Sequence, residues 1–171
     1  MTPDELQVYI VNLGNYNQGK ADSGRWFHLP LDFDEIRETL QLGKNGQSEE
    51  YAIHDYELPV RISEYESISS LNHLYENLLT ISDTPFYPII QELLDEWFNN
   101  VEELAGNIDN LIYYDTNSMS ELVAEEIGDG TLFGELPTNV LYYLDYEKIA
   151  RDLEIEGNYL VTTHGIVEYV N

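Results

Sequence analysis

The chain has no cysteine, only seven lysines and arginines in 171 residues, and no apolar run approaching the ~18 residues of a membrane span. Each shortage removes a class of function. Without cysteine there is no disulfide scaffold, no thiolate metal site and no cysteine nucleophile, and a reducing compartment fits. The first residues, MTPDELQVYIV, have neither a basic region nor a long apolar segment, so no signal peptide is read and a cytoplasmic location is expected. Seven scattered bases cannot line a phosphate-binding surface, which argues against direct nucleic acid binding and against anchoring to anionic membranes. They also supply oxyanion or phosphoryl stabilisation thinly.

What is present is acid. Thirty-three Asp and Glu give a net charge of −26. Residues 1–60 carry −7, 61–105 carry −8 and 106–171 carry −11. From Ile62 to Glu147 there are eighteen acids and no Lys or Arg. Hydrophobic residues make up 43% and aromatics 12%, enough to build a core, and the acids are interleaved with them at structured spacing. The charge therefore belongs to a folded surface and not to a detachable tail. Such a surface repels itself and selects basic partners.

The spacing predicts an α+β fold. QVYIVNL (7–13) reads as a strand, 14–24 as a glycine-rich loop and RWFHLPL (25–31) as a returning strand. A helix follows, with Asp32 as N-cap, Glu35 completing a capping box, Ile36 and Leu40 on one face, and Gly43 as the stop. SEEYAIHDYELP (48–59) predicts a third strand. From Ser67 the period becomes helical: Ile68, Leu71, Leu74, Tyr75, Leu78 and Leu79 form one stripe, and Thr84-Pro85 opens a second helix with Ile89, Ile90, Leu93, Leu94, Trp97 and Phe98 facing inward. NVEELAG adds a short turn. The mixed pattern then returns with a strand at 110–115, a helix capped by Ser118 and ending at Gly128, one or two helices over 136–153, and a closing hairpin around Thr163-His164-Gly165. The expected organisation is three small domains in an elongated arrangement: α+β over 1–62, helical over 63–105 and α+β over 106–171.

Candidate chemistry is thin. His54 lies among Glu49, Glu50, Asp55 and Glu57, but strand alternation places His54 opposite to Asp55, so no dyad is expected. His28, His54, His73 and His164 show no metal-binding spacing, and no metal or other cofactor is implied. The loop from Asp115 puts Met119 and Ser120 where a calcium loop needs a ligand and a glycine. GTLFGE lacks the lysine of a phosphate loop, no GxSxG occurs, and carboxylate pairs are too common to single out a glycosidase. No catalytic residue is assigned, and a non-enzymatic protein is expected.

By charge alone, −26 equals about thirteen base pairs of DNA, and a dimer about twenty-six, at one phosphate per ~1.7 Å of helix axis. Carboxylates standing in for phosphates would engage a DNA-binding cleft without copying any base sequence. The expected acidic surface comprises Asp34, Glu38, Glu49, Glu50, Asp55, Glu57, Glu64, Glu66, Glu92, Asp95, Glu96, Glu102, Glu103, Asp109, Asp115, Glu121, Glu125, Glu126 and Asp129. Segments LQVYIVNLGNYNQG (6–19), EEYAIHDYELP (49–59), FGELPTNVLYYLDYEKIARDL (133–153) and THGIVEYV (163–170) resemble the ArdA family of antirestriction proteins. The resemblance implies a homodimeric DNA mimic that occupies the DNA-binding cleft of type I restriction–modification enzymes, engaging their specificity and modification subunits, and blocks restriction and modification in favour of mobile genetic elements. It places an antirestriction motif and dimer contacts at Phe133, Gly134, Glu135, Leu136, Pro137, Val140, Leu141, Tyr143, Leu144, Asp145 and Tyr146. The alternative is an acidic interaction module for another basic DNA-binding protein.

Overall fold

The computed structural model describes residues 1–21 and 23–171; Asp22, inside the predicted 14–24 loop, lies outside the described residues. The chain divides into two compact units, Met1–Ala105 and Gly106–Asn171, of mixed α+β composition. Segments 1–62 and 63–105 both fall in the first.

In the first unit β1 (Gln7–Asn12) is the central strand of an antiparallel sheet, with β2 (Gly24–His28) and β3 (Tyr51–Glu57) on its flanks. Val8 and Ile10 are fully buried and pair with Phe27 and Ile53, also in the core. Asn12, next on that face, is fully buried too. Its amide donates to the Leu40 carbonyl (2.9 Å) and its Oδ1 accepts from the Asn15 N–H (3.2 Å). One side chain thus caps α1 (Leu13–Asn17), which occupies the start of the predicted loop, and ties down α2 (Phe33–Leu40).

Asp32 caps α2 as its position predicts, accepting from the N–H groups of Asp34 and Glu35. The helix does not run to Gly43. Gln41 turns left-handed (φ 55°), and the Leu42 N–H returns to the Arg37 carbonyl at 3.0 Å. That closure buries Leu42, and burial of this apolar side chain outweighs the backbone cost at Gln41.

Ser67 caps α3 (Ile68–Ile81), accepting from Ser70 N–H; Ile68, Leu71, Leu78 and Ile81 are buried, while Leu79, expected inside, is exposed. The helix predicted from Thr84-Pro85 starts late. Pro88 stands where the first intrahelical N–H is needed and has none. The chain instead makes a 3₁₀ turn over Tyr87–Ile89 before α4 (Ile90–Glu96), and α5 (Val101–Gly106) follows.

In the second unit β4 (Leu111–Tyr114), β6 (Gly165–Tyr169) and β5 (Tyr159–Thr162) form an antiparallel sheet in the order β4-β6-β5. Between β4 and β5 run α6 (Met119–Gly128), α7 (Thr138–Leu141) and α8 (Tyr146–Ile155). Met119, Leu122, Val123 and Ile127 of α6 pack with Ala150 of α8 and Ile166 of β6. Gly165 closes the hairpin at φ 108°; a Cβ there would lie 2.7 Å from the Tyr113 ring and from the Tyr114 carbonyl oxygen. Among the described residues no helix is long and apolar enough to cross a membrane.

Candidate interaction surface

The acids that sequence spacing assigned to a surface divide into three groups. Asp34, Glu38, Glu49, Glu50, Asp55, Glu57, Glu64, Asp95, Glu96, Glu102, Glu103, Asp109, Asp115, Glu121, Glu125 and Asp129 are exposed. Glu66 and Glu92 are half-buried. Glu126 is buried, with 5% of its surface exposed, and is a correction to the expected surface. The reason lies in α6. Met119, Leu122, Val123, Glu126 and Ile127 fall on one helical stripe, and that stripe faces the sheet. Counted from Met119, the same spacing puts Glu126 on that stripe, and packing against the sheet decides that the stripe is the covered one.

Glu126 meets other polar groups inside. The Tyr159 hydroxyl donates to its carboxylate at 3.5 Å, and the Tyr114 hydroxyl donates to Glu168 at 2.7 Å on the same sheet face. Burial pushes the Glu126 carboxyl above the ordinary range; the hydroxyls of Tyr114 and Tyr159 oppose the shift, while Glu168 and Asp129 add to it. Burial, then the nearby carboxylates, raise both tyrosines as well.

The exposed acids are not equivalent. Arg37 lies 3.6 Å from Asp34 and 3.8 Å from Glu49, Arg61 is ion-paired with Asp95, and His73 lies 3.2 Å from Glu102 and 3.9 Å from Glu76. These contacts are solvent-exposed and individually worth little. Others serve the chain: Asp55 accepts from the Tyr56 N–H and Asp129 from the Thr131 N–H. Hydrogen bonds from Thr131 hold the Asp129 carboxyl below the usual range. The carboxylates of Glu38, Glu50, Glu64, Glu96, Asp109, Asp115 and Glu125 have neither hydrogen bond nor ion pair among the described residues, leaving them open to a partner.

His54 is not placed as simple alternation predicts. β1 pairs Tyr9 with Asp55 but Ile10 with Ile53, so His54 is the extra residue of a β-bulge. Ile53 and Asp55 therefore leave opposite faces of the sheet, and His54 and Asp55 are both exposed. The His54 ring meets Tyr16 edge-on, with ring centres 4.9 Å apart. The four histidines sit on separate elements, and among the described residues no cluster of three or more His, Asp or Glu is placed to hold a metal ion.

The 133–146 segment is split by the fold. Leu136, Leu141, Leu144 and Tyr146 pack against the α6–α8 core, half-buried, so they are intradomain contacts first. Asp145 caps α8, accepting from the Lys148 N–H at 3.1 Å. Gly134, Glu135 and Pro137 are exposed loop, and Phe133, Val140 and Tyr143 present apolar surface. Tyr143 is 88% exposed. Its neighbour Tyr142, left out of the expected contact set, is 84% exposed. Leu141 and Leu144, three apart on the inward side, already imply that the two tyrosines between them point away.

Compared with protein families, residues 8–168 match the model of the antirestriction protein ArdA. A search of curated proteins found no match.

Proposed function

The chain belongs to the ArdA family of antirestriction proteins, a family of inhibitors, and from that premise we propose that it is an acidic mimic of DNA directed at type I restriction–modification enzymes. In this reading it fills the DNA-binding cleft, engages the specificity and modification subunits and blocks both restriction and modification. The observation that carries the reading is the exposure of nearly all the described acids on both units, against seven bases in the whole chain. Lys and Arg side chains that hold phosphates bind carboxylates by the same charge-assisted hydrogen bonds. The three segments 1–62, 63–105 and 106–171 would each contribute part of the charged surface. Two copies would join through Phe133, Val140, Tyr142 and Tyr143, doubling the charge presented.

The test is competition on a purified type I enzyme. Duplex DNA and this protein should displace one another, and the inhibition should weaken as salt rises, because exposed charges are screened beyond about 8–10 Å at physiological ionic strength. Phage plating on a host with a type I system should rise when the protein is expressed. Simultaneous binding of duplex and protein would instead favour the module for another basic protein.

A further inference from the structure

A cleft of about 460 Å³ opens in the first unit beside α3 and α5. Its floor is apolar, built by Leu74 of α3, Leu94 of α4 and Val101 of α5. Two carboxylates line it: Glu66, from the segment entering α3, one oxygen of which accepts from the Ser70 hydroxyl, and Glu102 of α5, one oxygen of which lies 3.2 Å from the His73 ring; the second oxygen of each has no partner among the described residues. The Asn77 amide nitrogen donates to the His73 carbonyl at 3.0 Å, leaving its oxygen as an acceptor with no partner among the described residues. The basic residue on the rim, Arg61, is already ion-paired with Asp95.

These features ask for a ligand with an apolar stem and a flat cation carrying several donors. A lysine supplies a compact point charge with three donors; an arginine supplies five in a planar fork and stacks on aromatic faces. The apolar floor suits its methylenes, and the carboxylates and the Asn77 oxygen suit its N–H groups. We infer that this cleft is a socket for an arginine side chain of the basic partner. The partner's identity rests on the mimic reading; the chemistry of the socket does not. A surface that only copied phosphates would spread its binding evenly, whereas a socket creates one anchor among many weak contacts.

The experiment titrates the full chain with N-acetyl-arginine amide and, separately, N-acetyl-lysine amide, following backbone amide resonances. Arginine should give saturable shifts at His73, Asn77, Asn99 and Asn100, which line the cleft, and lysine markedly weaker ones. Ser70→Phe fills the cleft from the exposed face of α3 without removing charge, and Glu66→Gln with Glu102→Gln keeps the shape while removing the anionic acceptors. Both should abolish the localised shifts and weaken inhibition of a type I enzyme by about tenfold or more. Asp83→Asn with Glu154→Gln, two exposed acids elsewhere, should cost less than about threefold. Equal shifts from both probes spread over all the acids, or full inhibition by a folded Ser70→Phe protein, would overturn the socket. Localised arginine shifts in a protein that fails to inhibit any type I enzyme would uphold the socket and overturn the proposed function.

Discussion

Glu126→Gln should stabilise the protein at neutral pH. Glu126 is 5% exposed, lies close to the Glu168 carboxylate, and among the described residues has only tyrosine hydroxyls to compensate its charge. Its folded-state proton affinity is raised by burial, so the folded protein binds this proton more tightly than the unfolded chain. The group therefore favours folding below the unfolded carboxyl pKa of about 4.3, and that contribution is lost as pH rises through the higher folded value. At pH 7, well above the unfolded pKa, burying this carboxyl costs folding stability that a neutral side chain would not. Glutamine keeps a carbonyl oxygen for the tyrosine hydroxyls and adds an N–H that can donate to Glu168. Leaving a buried polar group incompletely compensated costs about 1–3 kcal/mol, so neutralising it should recover about that much. At about 2–4 °C per kcal/mol for a chain of this size, the melting temperature at pH 7 should rise by several degrees. Thermal unfolding of parent and variant in parallel from pH 4 to 8 isolates the effect from the titration of the other acids. The gain should shrink towards pH 4, and inhibition should be unchanged, since this carboxylate is not on the surface. A lower melting temperature at pH 7, or a gain independent of pH, would refute the reasoning.

Three further outcomes are expected. Neutralising one open acid, such as Glu38→Gln, should weaken inhibition less than about fivefold, whereas Asp109, Asp115, Glu121 and Glu125 changed together should cost about 1–4 kcal/mol, read as the shift in inhibitory concentration; abolition by a single such acid in a folded protein would contradict dispersed charge. Tyr142→Ala with Tyr143→Ala should leave the fold intact, because both rings are exposed, and shift sedimentation from dimer towards monomer; an unchanged dimer would remove these tyrosines from the contact. Tyr87→Phe should be neutral or stabilising by about 1 kcal/mol in denaturant unfolding, because the Tyr87 hydroxyl is buried with no hydrogen-bond partner among the described residues; a clear loss of stability would show that the hydroxyl is satisfied.

Local chemistry explains which features were legible beforehand. Asp32, Ser67 and Ser118 each cap the helix that follows them, because an N-cap is a contact between a side chain and a backbone N–H two or three residues away. The closing hairpin at Thr163-His164 is equally local. Features that depend on a distant partner were not legible. The bulge at His54 exists only in the pairing of β3 with β1, and one strand cannot show that its register slips. The end of α2 at Gln41 depends on burying Leu42.

The abundance of acid, the scarcity of Lys and Arg, and the motif segments that mark the family are properties of the chain itself, since ionic charge and residue order do not depend on folding. They determined the family and the sign of the charge that the chain carries. Burial decided the rest. Folding carried Glu126 out of the charged surface and into the core, set Leu136, Leu141, Leu144 and Tyr146 inward while leaving Tyr142 and Tyr143 exposed, and gathered Glu66, Asn77 and Glu102 around one cleft. Whether a carboxylate or a ring can meet a partner depends on which face of its element is covered, and that is settled by packing between residues far apart in the chain.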